Sequence, residues 1–77
     1  HVPWITRLMV DAAHQGRRIG REALAAVLQK LLSRPNVHEV RTTVHMRNAA
    51  GEYLFHSLGF ERTGEIEGRE IVMRLAM

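Results

Sequence analysis

Seventy-seven residues bound this chain to one small domain or a piece of a larger one, and so short a chain buries a limited core of marginal stability. The absence of cysteine excludes disulfides and thiolate metal sites and fits a reducing cytoplasm. No apolar run approaches the roughly 20 residues of a membrane span, nothing at the N-terminus reads as a signal peptide, and the net charge of +3, with a pI near 10.6, suits an anionic ligand.

In chain order, His1 to Pro3 leads into a first predicted strand, Trp4 to Val10, and Asp11-Ala12-Ala13 turns out of it. Ile19, Ala23, Leu24, Val27, Leu28, Leu31 and Leu32 recur at spacings of three and four, which predicts an amphipathic helix from Ile19 to Leu32 packed on a sheet. Arg34-Pro35-Asn36 ends it, because the residue before a proline is pushed out of the helical region. Val37 to His45, rich in β-branched residues, is a second strand, and a helical crossover of this length makes the two strands parallel and right-handed. Asn48 then caps a shorter helix from Ala49 to Leu58, which Gly59 stops. A hairpin of Glu61 to Ile66 and Arg69 to Met77, turned at Glu67-Gly68, completes the chain. The expected class is α/β (α+β), β-α-β-α-β-β, with a mixed sheet and two helices.

Where the first strand hands over to the first helix lies His14-Gln-Gly-Arg-Arg-Ile-Gly-Arg21. A helix N-terminus leaves backbone N–H groups without intrahelical partners and carries partial positive charge, so a pyrophosphate can dock there on main-chain donors. Gly16 and Gly20 permit close approach, and Arg17, Arg18 and Arg21 add charge. The plainer alternative is a strand-to-helix turn on a basic surface. Nucleic acid is a weak partner for this chain, because Trp4, Tyr53, Phe55 and Phe60 are not interleaved with arginines on one strand face.

Three passages carry a resemblance: Arg7-Leu-Met-Val-Asp11, Gln15-Gly-Arg-Arg-Ile-Gly-Arg-Glu-Ala-Leu24, and Asn48-Ala-Ala-Gly-Glu-Tyr-Leu-Phe-His-Ser-Leu-Gly-Phe60 followed by Glu-Arg-Thr-Gly-Glu-Ile66. Together they resemble the C-terminal half of a GNAT-superfamily N-acetyltransferase, in wording similar to its diamine and spermidine acetyltransferase-like members. The resemblance implies a partial GNAT fold over residues 1–77 that binds acetyl-coenzyme A as co-substrate. It implies that the main chain of Leu8, Met9 and Val10 pairs with the pantetheine arm. The amides from Gln15 through Gly16, Arg17, Arg18, Ile19 and Gly20 to Arg21 would hold the pyrophosphate, and Asn48 would approach the cofactor at the mouth of the second helix. A small-molecule primary amine would attack the thioester directly, helped by a base and an acid.

Two positions depart from that family pattern. Arg18 stands where a middle glycine belongs, as a phosphate ligand or a solvated charge. Phe55 occupies the place of the tyrosine acid and cannot donate a proton, though its ring is expected beside the coenzyme sulfur. Tyr53, about 200° round the helix, reads as a packing residue rather than a substitute. His45 is the best-placed base, although an ordinary strand-end residue is the commoner case. The histidine spacing gives no metal site, and Glu65, Glu67 and Glu70 gather in the hairpin.

Full members of the family place further strands and helices before the equivalent of Trp4, and beginning at His1 rather than methionine is the pattern of a processed, cropped or tagged segment. The expectation is therefore a homo-oligomer, or a missing N-terminal half, covering the edge of the first strand. Two functions stand: an N-acetyltransferase or its cofactor-binding half, and a catalytically weak or inactive coenzyme A-binding or interaction module. The catalytic residues stay unassigned.

Overall fold

The structure is a computed structural model, and it describes residues 2–5 and 19–76. Leu8, Met9, Val10, Gln15, Gly16, Arg17 and Arg18 lie outside the described residues, as does the side chain of Ile19. The elements are β1 (Trp4–Ile5), α1 (Ile19–Leu32), β2 (Glu39–His45), α2 (Ala49–Ser57), β3 (Glu61–Glu67) and β4 (Glu70–Ala76).

Helix α1 has the predicted bounds. Leu24 and Leu28 are buried, and Ala23, Leu31 and Leu32 pack against the core around them. Glu22 in the first turn and Lys30 in the last complement the helix dipole. At its end the Ser33 amide donates to Gln29 O and the Ser33 hydroxyl to Lys30 O, occupying carbonyls that the finished helix leaves open. The predicted second strand starts two residues late, at Glu39, because the Val37 amide is spent on Arg34 O in the turn around Pro35.

The four strands lie in the order β1-β2-β4-β3. Strand β2 runs parallel to β1, and β4 is antiparallel to both β2 and β3. The two crossovers, β1 to β2 and β2 to β3, step the same way across the sheet, and right-handed crossovers in one direction put both helices on one face. The core has that composition: Leu24 and Leu28 of α1 and Phe55 of α2 cluster with Ile5, Val40, Val44, Ile71 and Met73. Fully burying a side chain of this kind contributes about 1.5–3 kcal/mol over leaving it in water. Among the described residues the opposite face carries no helix, and one row of register partners crosses it, Trp4, Arg41, Arg74 and Glu61.

The hairpin turns one residue later than predicted. Glu67 pairs with Glu70, so Gly68 and Arg69 form the loop, and Gly68 supplies the positive φ (62°) that the first position of such a turn can demand. Between Arg62 and Ile66 the β3 register slips, with three residues facing one of β4, and Gly64 takes φ 93° there.

Candidate functional site at the two ends of helix α2

At the N-terminal end of α2, Asn48 does what a cap does. Its Oδ1 accepts from the Gly51 amide at 2.9 Å, and its own amide donates to His45 O at 2.8 Å. The cap depends on Gly51, where an added Cβ would sit 2.5 Å from Asn48 Nδ2. Gly51 was not singled out from the sequence, although a glycine in the first turn of an otherwise good helix is itself a signal. Since Oδ1 is engaged, the Nδ2 donors of this exposed residue remain for another acceptor.

His45 ends β2 beside this cap, and its Nδ1 accepts from the Arg47 amide at 3.1 Å. A neutral imidazole accepting at Nδ1 carries its proton on Nε2, so the ring offers its surroundings a donor. To act as the base it would first have to release Arg47.

The C-terminal end of α2 explains Phe55-His-Ser-Leu-Gly-Phe60. Gly59, at φ 103°, donates to His56 O, and Phe60 donates back to Phe55 O, both at 3.0 Å. These are the two bonds of a Schellman cap, which brings the residue after the glycine against the third from the helix end. Phe60 accordingly meets Phe55 edge-on, with ring centroids 5.2 Å apart and planes at 76°. Phe55 is 1% exposed and sits in the core, whereas Tyr53 is 74% exposed. Tyr53 thus faces away from Phe55 as the helix geometry requires, but the expectation that it packs is corrected: its side of α2 meets solvent.

Arg21, expected near the pyrophosphate, sends its guanidinium to this same helix end. Nε donates to Ser57 Oγ and an Nη donates to Ser57 O, each at 3.1 Å, while Ser57 Oγ donates to Leu54 O at 2.6 Å. With the Schellman bonds, every one of the last four carbonyls of α2, Leu54 to Ser57, has a partner. Ile19 and Gly20, named with Arg21 for their amides, form the start of α1.

Along the seam of β1 and β2 the buried Thr42 hydroxyl donates to Ile5 O at 3.1 Å, so a polar group on the core face is satisfied by the neighbouring strand. The alternation Val40, Thr42, Val44 against Arg41, Thr43, His45 already marks Thr42 as facing inward.

On the helix-free face Arg41 is the hub. It pairs with Glu39, reaches Glu65 at 3.2 Å, and holds its guanidinium 6.0 Å from the Trp4 ring centre. The Arg41 hydrogen bond keeps the Glu39 carboxyl below its ordinary value, against the opposing effect of partial burial. Glu52 of α2 is likewise acidified by Arg62 of β3, which binds it with Nε and with an Nη at 2.8 Å. A polar concavity of about 540 Å³ opens beside Arg41, Glu61, Thr63, Glu65 and Arg74. Register and pairing put Glu39, Glu61, Glu65, Glu67 and Glu70, five of the chain's eight acidic residues, on this face against Arg41 and Arg74.

Comparison with known proteins places this arrangement. The model of the acetyltransferase (GNAT) family matches residues 1–60, and the chain belongs to that family. It is similar to the spermine/spermidine N(1)-acetyltransferase of Bacillus subtilis (strain 168), at 23% identity over 73 residues, 92% of this chain and 48% of that protein. The probable spermine N(1)-acetyltransferase of Bacillus subtilis subsp. natto (strain BEST195) matches with the same identity and coverage. The chain spans about half the length of these curated relatives.

Proposed function

We propose that residues 1–77 are the acetyl-coenzyme A-binding part of an N-acetyltransferase that acts on a primary amine, with di- and polyamines as the preferred class. The observation that carries this reading is the family match over residues 1–60. The described residues fit the co-substrate: Gly20, at the described start of α1, has no Cβ to hold a phosphate away from main-chain donors.

When bound, acetyl-coenzyme A supplies an activated acetyl group that the amine takes by direct attack. The chain's part is to hold and orient. The amides from Gln15 to Arg21 take the pyrophosphate, the main chain of Leu8, Met9 and Val10 aligns the pantetheine arm, and Asn48 offers its Nδ2 donors at the mouth of α2. Phe55, enclosed in the core, brings no hydroxyl and so no proton. The names of the two Bacillus relatives support a polyamine acceptor, and the acidic balance of the helix-free face suits a cationic one. Among the described residues no helix is long and apolar enough to cross a membrane. The lack of cysteine supports a cytoplasmic setting, and the edge position of β1 supports completion by a second copy or by an N-terminal half.

A second reading, a coenzyme A-binding module with weak or no turnover, is favoured by Phe55, since no hydroxyl stands at that position. Calorimetry and an amine-acetylation assay separate the two. Acetyl-coenzyme A should bind at concentrations of about 1 mM or below, and Gly20→Val should abolish binding while leaving the fold intact. A folded wild-type chain that gives no heat defeats the cofactor site. Binding without acetylation of any di- or polyamine by the assembled protein moves the second reading ahead.

A further inference from the structure

Arg21 lies in the first turn of α1, inside the stretch assigned to the pyrophosphate, yet its side chain is committed elsewhere. Its fork grips both the hydroxyl and the carbonyl of a single residue, Ser57, at the negative end of α2. From Ser57 Oγ the bonding continues to Leu54 O, in the peptide that leads into Phe55. Two hydrogen bonds in series, Arg21 Nε to Ser57 Oγ and Ser57 Oγ to Leu54 O, thus connect the beginning of one helix to the position of the second helix expected at the acyl end.

We infer that Arg21 is a positioning residue whose bond to Ser57 sets the span between the pyrophosphate amides of α1 and the acyl-end position at Phe55, and that it is not itself a phosphate ligand. The inference rests on the cofactor reading given above. A ligand that reaches across both ends feels this span, and a ligand held at one end does not. Lysine keeps the charge but lacks the planar fork, so it cannot hold hydroxyl and carbonyl together.

The test is calorimetric titration of the wild-type chain, Arg21→Lys, Ser57→Ala and the double variant with two ligands. One is acetyl-coenzyme A; the other is ADP, which carries the pyrophosphate without the pantetheine arm. Both substitutions are at exposed positions, and a thermal melt of each variant verifies folding. Each single change should weaken acetyl-coenzyme A by ~3–10-fold and leave ADP within ~2-fold, and the double variant should be no worse than Arg21→Lys alone. Equal weakening of both ligands by Arg21→Lys would make Arg21 a direct phosphate ligand and overturn the inference. So would unchanged acetyl-coenzyme A binding in both single variants, or additive losses in the double. A wild-type chain that binds neither ligand fails differently, because it removes the cofactor reading and the role of the span with it.

Discussion

The carboxamide of Asn48 occupies the space that a side chain at position 51 would need, within 2.5 Å of a Cβ built on Gly51. Cap and glycine therefore form one unit. In an ordinary helix Gly→Ala gains about 1 kcal/mol, but here the methyl group evicts the cap, whose loss costs about 1 kcal/mol. Gly51→Ala should leave stability unchanged or lower in urea unfolding. In an Asn48→Ala background the same substitution should stabilise by about 1 kcal/mol. Equal effects in the two backgrounds would show that the side chains do not compete.

Phe55→Tyr tests the chemistry at the other end of the helix. A general acid is typically worth on the order of 10² to 10⁴ in rate, so restoring the hydroxyl should raise turnover of an accepted diamine or polyamine at least about tenfold in the assembled protein. Acetyl-coenzyme A affinity should barely change, because charge develops on sulfur only in the transition state. The ring is enclosed with Phe60, so a hydroxyl that finds no partner would lower the melting temperature instead. Brisk turnover by the native protein, with no gain in the variant, would show that another residue donates the proton.

Acid should loosen the molecule through Glu39 and Glu52. Folding lowers both carboxyls from 4.5, chiefly by hydrogen bonds from Arg41 and Arg62. A carboxyl acidified by folding contributes stability that is complete above its unfolded value and is lost as pH falls through the lowered folded one. Unfolding free energy should therefore decline as pH drops below 4.5, with part of the slope absent in Glu52→Gln. Both pairs touch solvent, so about 1 M salt should flatten it further. Superimposable profiles for wild type and Glu52→Gln would mean that the Arg62 pair adds nothing.

Strand β1 is outermost in the described sheet, beside β2 only. Exposed strand edges recruit another chain unless covered, and a two-fold dimer is the simplest closed form. Light scattering on the purified chain should give twice the monomer mass. A monodisperse monomer at high concentration would point to a covering segment within the same polypeptide.

What the sequence disclosed and what it withheld divide along locality. Helix α1 was legible to the residue because the spacing of Ile19 through Leu32 depends only on neighbours three and four apart, and Asn48 was legible as a cap for the same reason. The place of β4 between β2 and β3 was not, because alternating Ile71, Met73 and Leu75 state a buried face without naming a partner strand. Arg21 and Ser57 meet across 36 positions, and nothing in either neighbourhood announces the bond. Tyr53 misled because an aromatic residue suggests packing, whereas its place on the helix, opposite Phe55, decided its exposure.

The central position of β4 also fixes when this polypeptide can acquire its shape during synthesis. Strands β2 and β3 have no contact edge without β4 between them, and β4 follows both of them in the sequence. A nascent chain stalled before residue 70 holds β3 with no strand to pair, so the sheet closes only after Glu70 to Ala76 have cleared the ribosomal tunnel. Until then the Phe55–Phe60 pair, buried in the finished fold, is a surface for a chaperone.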